Sequence, residues 1–453
     1  MNLIESSKKL INDLIGKKDT ECGNLIIDLK PIDPIAPAQY EYLIENKIPT
    51  VEISIQNPWP KDIEDFQVQV RLQEVSDWVS QTHLIKKEAT TKIPMIISLS
   101  PERLYNYEEK NLSLDVHCAY TDPKNKKRDF SDSKLIKILA KDDMIWAINK
   151  DGGVQDLSAF IAAWVTPRDP EVQKLIHSAA ENPEAKSIGG IVGYQKVKKS
   201  RTPSEEIEVP SNDLVYRKTH LRQGASLSGV LKFVRGGENN DINFYFLDSY
   251  NFILFKDRKS FEYLLEGIRA SSGFLFNFAS TEENDYYLVF DNRFSALSNK
   301  KVGITVNIET PLSQKEIVEL QAKAIYETIK QNGMNYVNTT VSFAPGNSQR
   351  VKRPSDTIKF KGGNCIDGSV LFASCFEAIG FEPLIVIIPG HAFVGVRTWV
   401  DSNNYIFIET TAVGTSNFEK ALIPQEYVFS EYKEGLKYID IKKARELGIK
   451  PLT

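Results

Sequence analysis

Between Gly362 and Arg397 the chain carries a thiol and an imidazole in settings suited to nucleophilic chemistry. Cys365 follows Gly362-Gly363-Asn364 and precedes Val370, Leu371, Ala373 and Phe376, with Gly380 as a stop, a pattern that reads as a buried helix. A cysteine in a first helical turn faces unpaired backbone N–H groups and the positive end of the macrodipole, and both favour its thiolate. His391 follows Pro389-Gly390 at the start of a strand pattern, and Glu409 ends the strand pattern Tyr405-Ile-Phe-Ile. His391, Phe393 and Gly395 share one face by two-residue alternation, as do Phe407 and Glu409. If these runs pair antiparallel, the carboxylate reaches the imidazole and fixes its orientation and tautomer. Thiol, imidazole and acid are the parts of a nucleophilic cysteine site.

Blander readings exist for each residue alone. A buried cysteine is ordinarily a small apolar filler, and Cys118 and Cys375 read that way. A histidine opening a strand is ordinarily structural, and a strand glutamate is ordinarily solvated. The conjunction of all three favours catalysis. Asp367 is a competing carboxylate, but two residues along a helix it points away from Cys365. Arg397 or Trp399 would bias specificity toward acidic or aromatic groups if either lines the cleft.

The elements around these residues fall into blocks. Leu3, Ile4, Leu10, Ile11, Leu14 and Ile15 sit near helical spacing, which predicts an amphipathic helix within residues 1–23. Residues 24–150 alternate over short runs separated by turns such as Asn57-Pro58 and Asp122-Pro123, predicting an antiparallel β-sandwich. Pro31, Pro34 and Pro37 read as a lead-in strand or linker. Asp169-Pro170 caps a helix striped by Val172, Leu175, Ile176 and Ala179, and a basic link runs to about residue 211. A second, aromatic-rich β-unit fills 210–311. Ser313 and Glu316 then form a capping box for a long helix ending near Gly333.

Composition narrows the class of function. The 453 residues suit two or three domains, and 42% apolar with 26% charged residues is ordinary for a globular protein. A net charge of −4 makes no electrostatic case for nucleic acid. Four scattered cysteines and five histidines offer neither a disulfide framework nor paired metal-ligand spacing. No signal-peptide core or membrane-spanning run is visible, so the expected location is the cytoplasm, where a thiol stays reduced. No cofactor, metal or membrane partner is expected, and oligomeric state is not legible.

Asn364-Cys365-Ile-Asp367, Gly390-His391-Ala-Phe and Ile408-Glu409-Thr-Thr together resemble the transglutaminase-like superfamily of papain-related cysteine enzymes. Tyr336 and Gln349-Arg-Val-Lys-Arg-Pro354 resemble its lead-in. The resemblance covers about residues 312 to 430 and the helix near 170 to 180. The usual third member is an aspartate, and Glu409 holds that place here. Asp241-Ile-Asn-Phe-Tyr-Phe and Tyr287-Leu-Val-Phe-Asp-Asn-Arg-Phe-Ser295 look similar to GOLD-like β-sandwich domains, which are associated with protein or ligand contacts.

The resemblance implies an α+β transglutaminase-like cysteine-hydrolase domain, split into residues 151–209 and 312–453. Two antiparallel β-sandwich modules accompany it, an immunoglobulin-like one in front and a GOLD-like one inserted. It further implies amide hydrolysis on a protein or peptide substrate through a thioester. Cys365 is the nucleophile, His391 the acid–base, Glu409 its holder, and Gln349 a side-chain donor to the oxyanion. The same thioester serves transamidation or deamidation, and the competing class is a non-enzymatic interaction scaffold with a vestigial site.

Overall fold

The computed structural model describes residues 20–22, 25–45, 47–100, 108–150, 153–337, 343, 348–431 and 435–452. It is a mixed α+β structure whose sheets are mostly antiparallel. The helix expected within residues 1–23 falls outside the described residues, except that Thr20–Cys22 is a strand paired with Leu25–Pro31. A neighbouring strand offers those three residues ladder hydrogen bonds that a frayed helix end lacks.

Two four-stranded sheets follow. One runs in the order Thr20–Cys22, Leu25–Pro31, Val51–Asn57 and Ala89–Met95; the other in the order Val79–Ile85, Ile63–Leu72, Lys110–Thr121 and Lys127–Ile138. Their inner positions, among them Ile53, Ile55, Val68, Val70, Leu114 and Val116, form one core, and every second residue from Val51 to Ile55 is buried. Pro37 departs from the linker reading by opening helix Pro37–Glu45, since a first-turn proline has no N–H to lose.

These sheets end before residue 150. Asp143–Ile145 leaves them to pair with Ser348–Arg350, and Met144 and Trp146 are buried in the core that holds Cys365. Three residues are too few to show a period, so this departure has no sequence signal.

The aromatic β-unit begins earlier than residue 210. Lys198–Arg201 and Ser204–Val209, expected as a basic link, both pair with the twelve-residue strand Lys300–Pro311, their charges held at exposed positions except the half-buried Lys199. Ser226–Arg235 and Phe274–Ala279 complete that sheet. A second sheet holds Leu214–Leu221, Asn284–Asp291, Ile242–Asp248 and Leu265–Ala270, and Phe244, Phe246, Phe276, Tyr286 and Phe290 fill the space between the two. Helix Ser249–Lys256 is capped by Asp248, which accepts from Asn251 N–H at 2.7 Å.

The remaining unit positions the site. Pro170–Ala180, Gln314–Gln331 and Cys365–Ala378 are helices; Asp169 caps the first, and the Ser313–Glu316 capping box starts the second. They pack on a five-stranded antiparallel sheet ordered Leu422–Ile423, Tyr405–Ile408, His391–Arg397, Pro383–Ile388 and Lys437–Asp440. Ile385, Ile387, Val394, Val396 and Ile408 on the sheet share a core with Val370, Leu371 and Ala373 on the cysteine helix. Among the described residues no helix is long and apolar enough to cross a membrane.

Candidate active site

Cys365 is the first residue of helix Cys365–Ala378. Asn364 caps it: its side chain accepts from Asp367 N–H at 3.0 Å, and Asp367 returns the contact by accepting from Asn364 N–H at 3.0 Å. Asp367 therefore faces the cap, as its position along the helix requires. The free thiol of Cys365 is in a residue only 1% exposed. Ser369 and Thr410 hydroxyls donate to the Cys365 carbonyl at 2.7 and 3.4 Å. Gly368 permits the second contact, because a Cβ there would sit 2.9 Å from Thr410 Oγ1.

His391 opens its strand, and Tyr405–Ile408 pairs beside it up to Val394 opposite Ile408. Glu409 lies one residue past that last pair, its N–H donating to Ala421 O at 2.8 Å. From there the carboxylate reaches back, and His391 Nε2–H donates to Glu409 Oε2 at 2.7 Å. Thr411 donates to Oε1 through its N–H at 3.0 Å and its hydroxyl at 2.6 Å. The acid is thus locked in place on both oxygens.

Electrostatics follow from these contacts. The hydrogen bond with the Cys365 thiol, then that with Glu409, raises His391 to about 10. Glu409 occupies Nε2, which leaves Nδ1 as the ring nitrogen for the thiol. Burial pushes the Glu409 carboxyl up, but the hydrogen bonds from His391 and Thr411 outweigh it and hold it below the usual range. Burial, then the negative charges at Cys365 and Glu409, raise the phenol of Tyr336, a residue 40% exposed that stands at the rim.

The raised His391 gives a stability prediction. Its contribution is fully present below the unfolded histidine value of about 6.5 and is lost as pH rises through about 10. The melting-temperature advantage of the protein over His391→Gln is therefore expected to shrink between pH 6.5 and 10. Thermal denaturation across that range checks it, and a gap that widens contradicts it.

Gln349 lies opposite Met144 on the short ladder of Ser348–Arg350 with Asp143–Ile145. It is 6% exposed, and neither of its amide atoms has a hydrogen-bond partner among the described residues. A buried unsatisfied polar group costs about 1–3 kcal/mol, so an amide kept in that state calls for a reason. Trp146, two residues past Met144, is 1% exposed and its Nε1–H is likewise unpartnered. Its ring packs edge-on against Phe343 at 4.9 Å. Sequence reasoning does not single out Trp146, which directly follows the three-residue strand paired with Ser348–Arg350.

Arg397 and Trp399 do not line this site. Arg397 closes the strand that His391 opens, about 20 Å away at 3.3 Å per residue. There it pairs with Glu382 at 3.2 Å and Asp440 at 2.8 Å, while Trp399 packs on Tyr194. Cys375 is fully buried in the core as a filler. Among the described residues no cluster of three or more histidine, cysteine or acidic side chains could hold a metal ion.

No family model and no curated protein matches the chain. Among solved structures it is similar to the periplasmic lysozyme inhibitor PliG of Aeromonas hydrophila, which inhibits g-type lysozyme. That match has 11% identity over 25% of this chain and 86% of the other, at a TM-score of 0.16. A carbohydrate-binding module of the β-sandwich superfamily matches at 10% identity over 64% of this chain and 97% of the other, at a TM-score of 0.13. Likenesses this distant carry no argument about fold or function.

Proposed function

We propose that this protein is a thiol-dependent amide hydrolase of the transglutaminase-like kind, a cysteine peptidase acting on a protein or peptide substrate. The observation that carries the reading is the contact series at one helix start: Cys365 thiol to the His391 imidazole, and His391 Nε2–H to Glu409 at 2.7 Å. Cys365 gives its thiol proton to His391, Sγ attacks the amide carbonyl carbon, and the carbonyl π-electrons move to oxygen. The oxyanion takes the Cys365 backbone N–H and the Gln349 amide, whose N–H has no partner among the described residues. As the carbonyl re-forms, the C–N bond breaks and His391 gives its proton to the departing amine. Water then loses a proton to His391 and attacks the thioester, releasing the acid and the thiol. Glu409 keeps the ring aimed throughout.

The immunoglobulin-like and GOLD-like readings of the two β-units suit substrate contacts in this scheme. A reducing compartment such as the cytoplasm suits the free thiol. The test uses p-nitrophenyl acetate as an acyl donor. A burst of p-nitrophenol is expected, with the acetyl group mapped to Cys365 by mass spectrometry. Gln349→Ala is expected to slow that burst by about a hundredfold to a thousandfold, the scale of one lost oxyanion donor. Acetyl groups spread over lysines with none on Cys365 would remove the basis of the reading.

A further inference from the structure

We infer that Asp367 is a positioning residue that locks the segment carrying Gln349 to the helix carrying Cys365, an inference that rests on the acyl-transfer reading above. Asp367 is 3% exposed, and its two oxygens serve two different segments. Oδ2 accepts from Asn364 N–H at 3.0 Å, which is the helix cap. Oδ1 accepts from Lys352 N–H at 2.8 Å, which is not. A cap needs only the first contact, so the second requires its own explanation.

Lys352 lies three residues past Gln349, and three extended residues span about 10 Å at most. Val351 between them is fully buried, and its N–H donates to Asp142 O at 2.9 Å, continuing the ladder that holds Gln349. The Lys352 ammonium also donates to Gly362 O at 3.0 Å, tying the same residue to the strand leading into Cys365. Gly363 completes the close approach, since a Cβ there would lie 2.7 Å from Asp367 Cβ. A fixed donor is worth more than a mobile one at a developing oxyanion, because its reorganisation is done before reaction. Asp367 thus sets where the Gln349 amide stands relative to Sγ.

The two tasks of the site separate in experiment. Alkylation of Cys365 by iodoacetamide needs the thiol and imidazole but builds no oxyanion; acetylation by p-nitrophenyl acetate needs all three. Asp367→Asn presents N–H groups to one of the two backbone donors. It is expected to alkylate within about threefold of the unmodified protein while its acetylation burst falls about tenfold. Adding Asp367→Asn to Gln349→Ala is expected to slow the burst no further, because both act through one donor.

If Asp367→Asn fails to fold, Lys352→Pro deletes the Lys352 N–H while leaving the cap, and the same split is expected. Lys352→Ala controls for loss of its side chain. A burst in Asp367→Asn or Lys352→Pro equal to that of the unmodified protein overturns the inference, as do multiplicative losses in the double variant. A parallel fall of alkylation, burst and melting temperature makes Asp367 merely structural. Absence of any burst in the unmodified protein overturns the reading beneath it.

Discussion

Replacing Cys365 by alanine is expected to abolish p-nitrophenyl acetate turnover, by about 10³-fold or more, while the fold persists. The loss is large because no other group takes over a missing nucleophile, and the remaining site residues act only on the bond it forms. The fold persists because the change removes one sulfur from a side chain whose neighbours are already held without it. Asn364 and Asp367 still cap the helix, and Ser369 still bonds the residue-365 carbonyl. Filling that site with a methyl group costs about 1 kcal/mol of packing, a few degrees of melting temperature. Stopped-flow release of p-nitrophenol and a thermal melt on the same preparation check both halves. Activity within tenfold of the unmodified protein would move the nucleophile away from Cys365.

The approach of His391 to Glu409 is legible in sequence because each step is local. Gly390 turns the chain, alternation sets the face of His391, and one antiparallel pairing with Tyr405–Ile408 brings the acid within reach. The start of the cysteine helix is legible for the same reason, since Asn364 and Asp367 form their capping box within four residues. Gln349 is different. Its polar character marks it only as a loop residue, and its burial comes from a pairing with Asp143–Ile145, about 200 residues earlier in the chain. Trp146 shares that origin and carries no local mark. What escapes the sequence is what long-range pairing creates.

The same division runs through the fold. Val51–Asn57 and Lys110–Thr121 bury alternate residues along most of their length, so two-residue periodicity finds them. Lys198–Arg201 has four polar residues and reads as a link; only the unpaired length of Lys300–Pro311 makes it a strand. Helix Ser249–Lys256 is apolar nearly all round, with Phe252 and Phe255 buried, so neither period stands out in Ser-Tyr-Asn-Phe-Ile-Leu-Phe-Lys. Pro37 fails through a rule applied too widely, because proline is excluded from a helix interior but welcome in its first turn.

His391→Ala is expected to change the pH profile of Cys365 alkylation by iodoacetamide, and this bears most directly on whether the site works. An unassisted cysteine with the ordinary value of about 8.5 is roughly 0.3% ionised at pH 6, and its labelling climbs about tenfold per pH unit. In the folded protein His391 is raised to about 10 by the thiol and by Glu409, so its ring stays an imidazolium from pH 5.5 to 8.5. With that cation held against the sulfur, labelling is expected to change little over this range. In His391→Ala the cation is gone, and Glu409 stands opposite an empty place as an unpaired anion. Labelling at pH 6 is expected to slow by about tenfold to a hundredfold; the gain in ionised fraction is partly offset by the weaker intrinsic nucleophilicity of a more acidic thiolate. The two profiles should converge toward pH 9, where even an unassisted thiol is ionised. Curves that stay parallel across the whole range would mean that His391 merely shields Cys365 and does not charge it. The amide-hydrolase reading would then lose its acid–base partner.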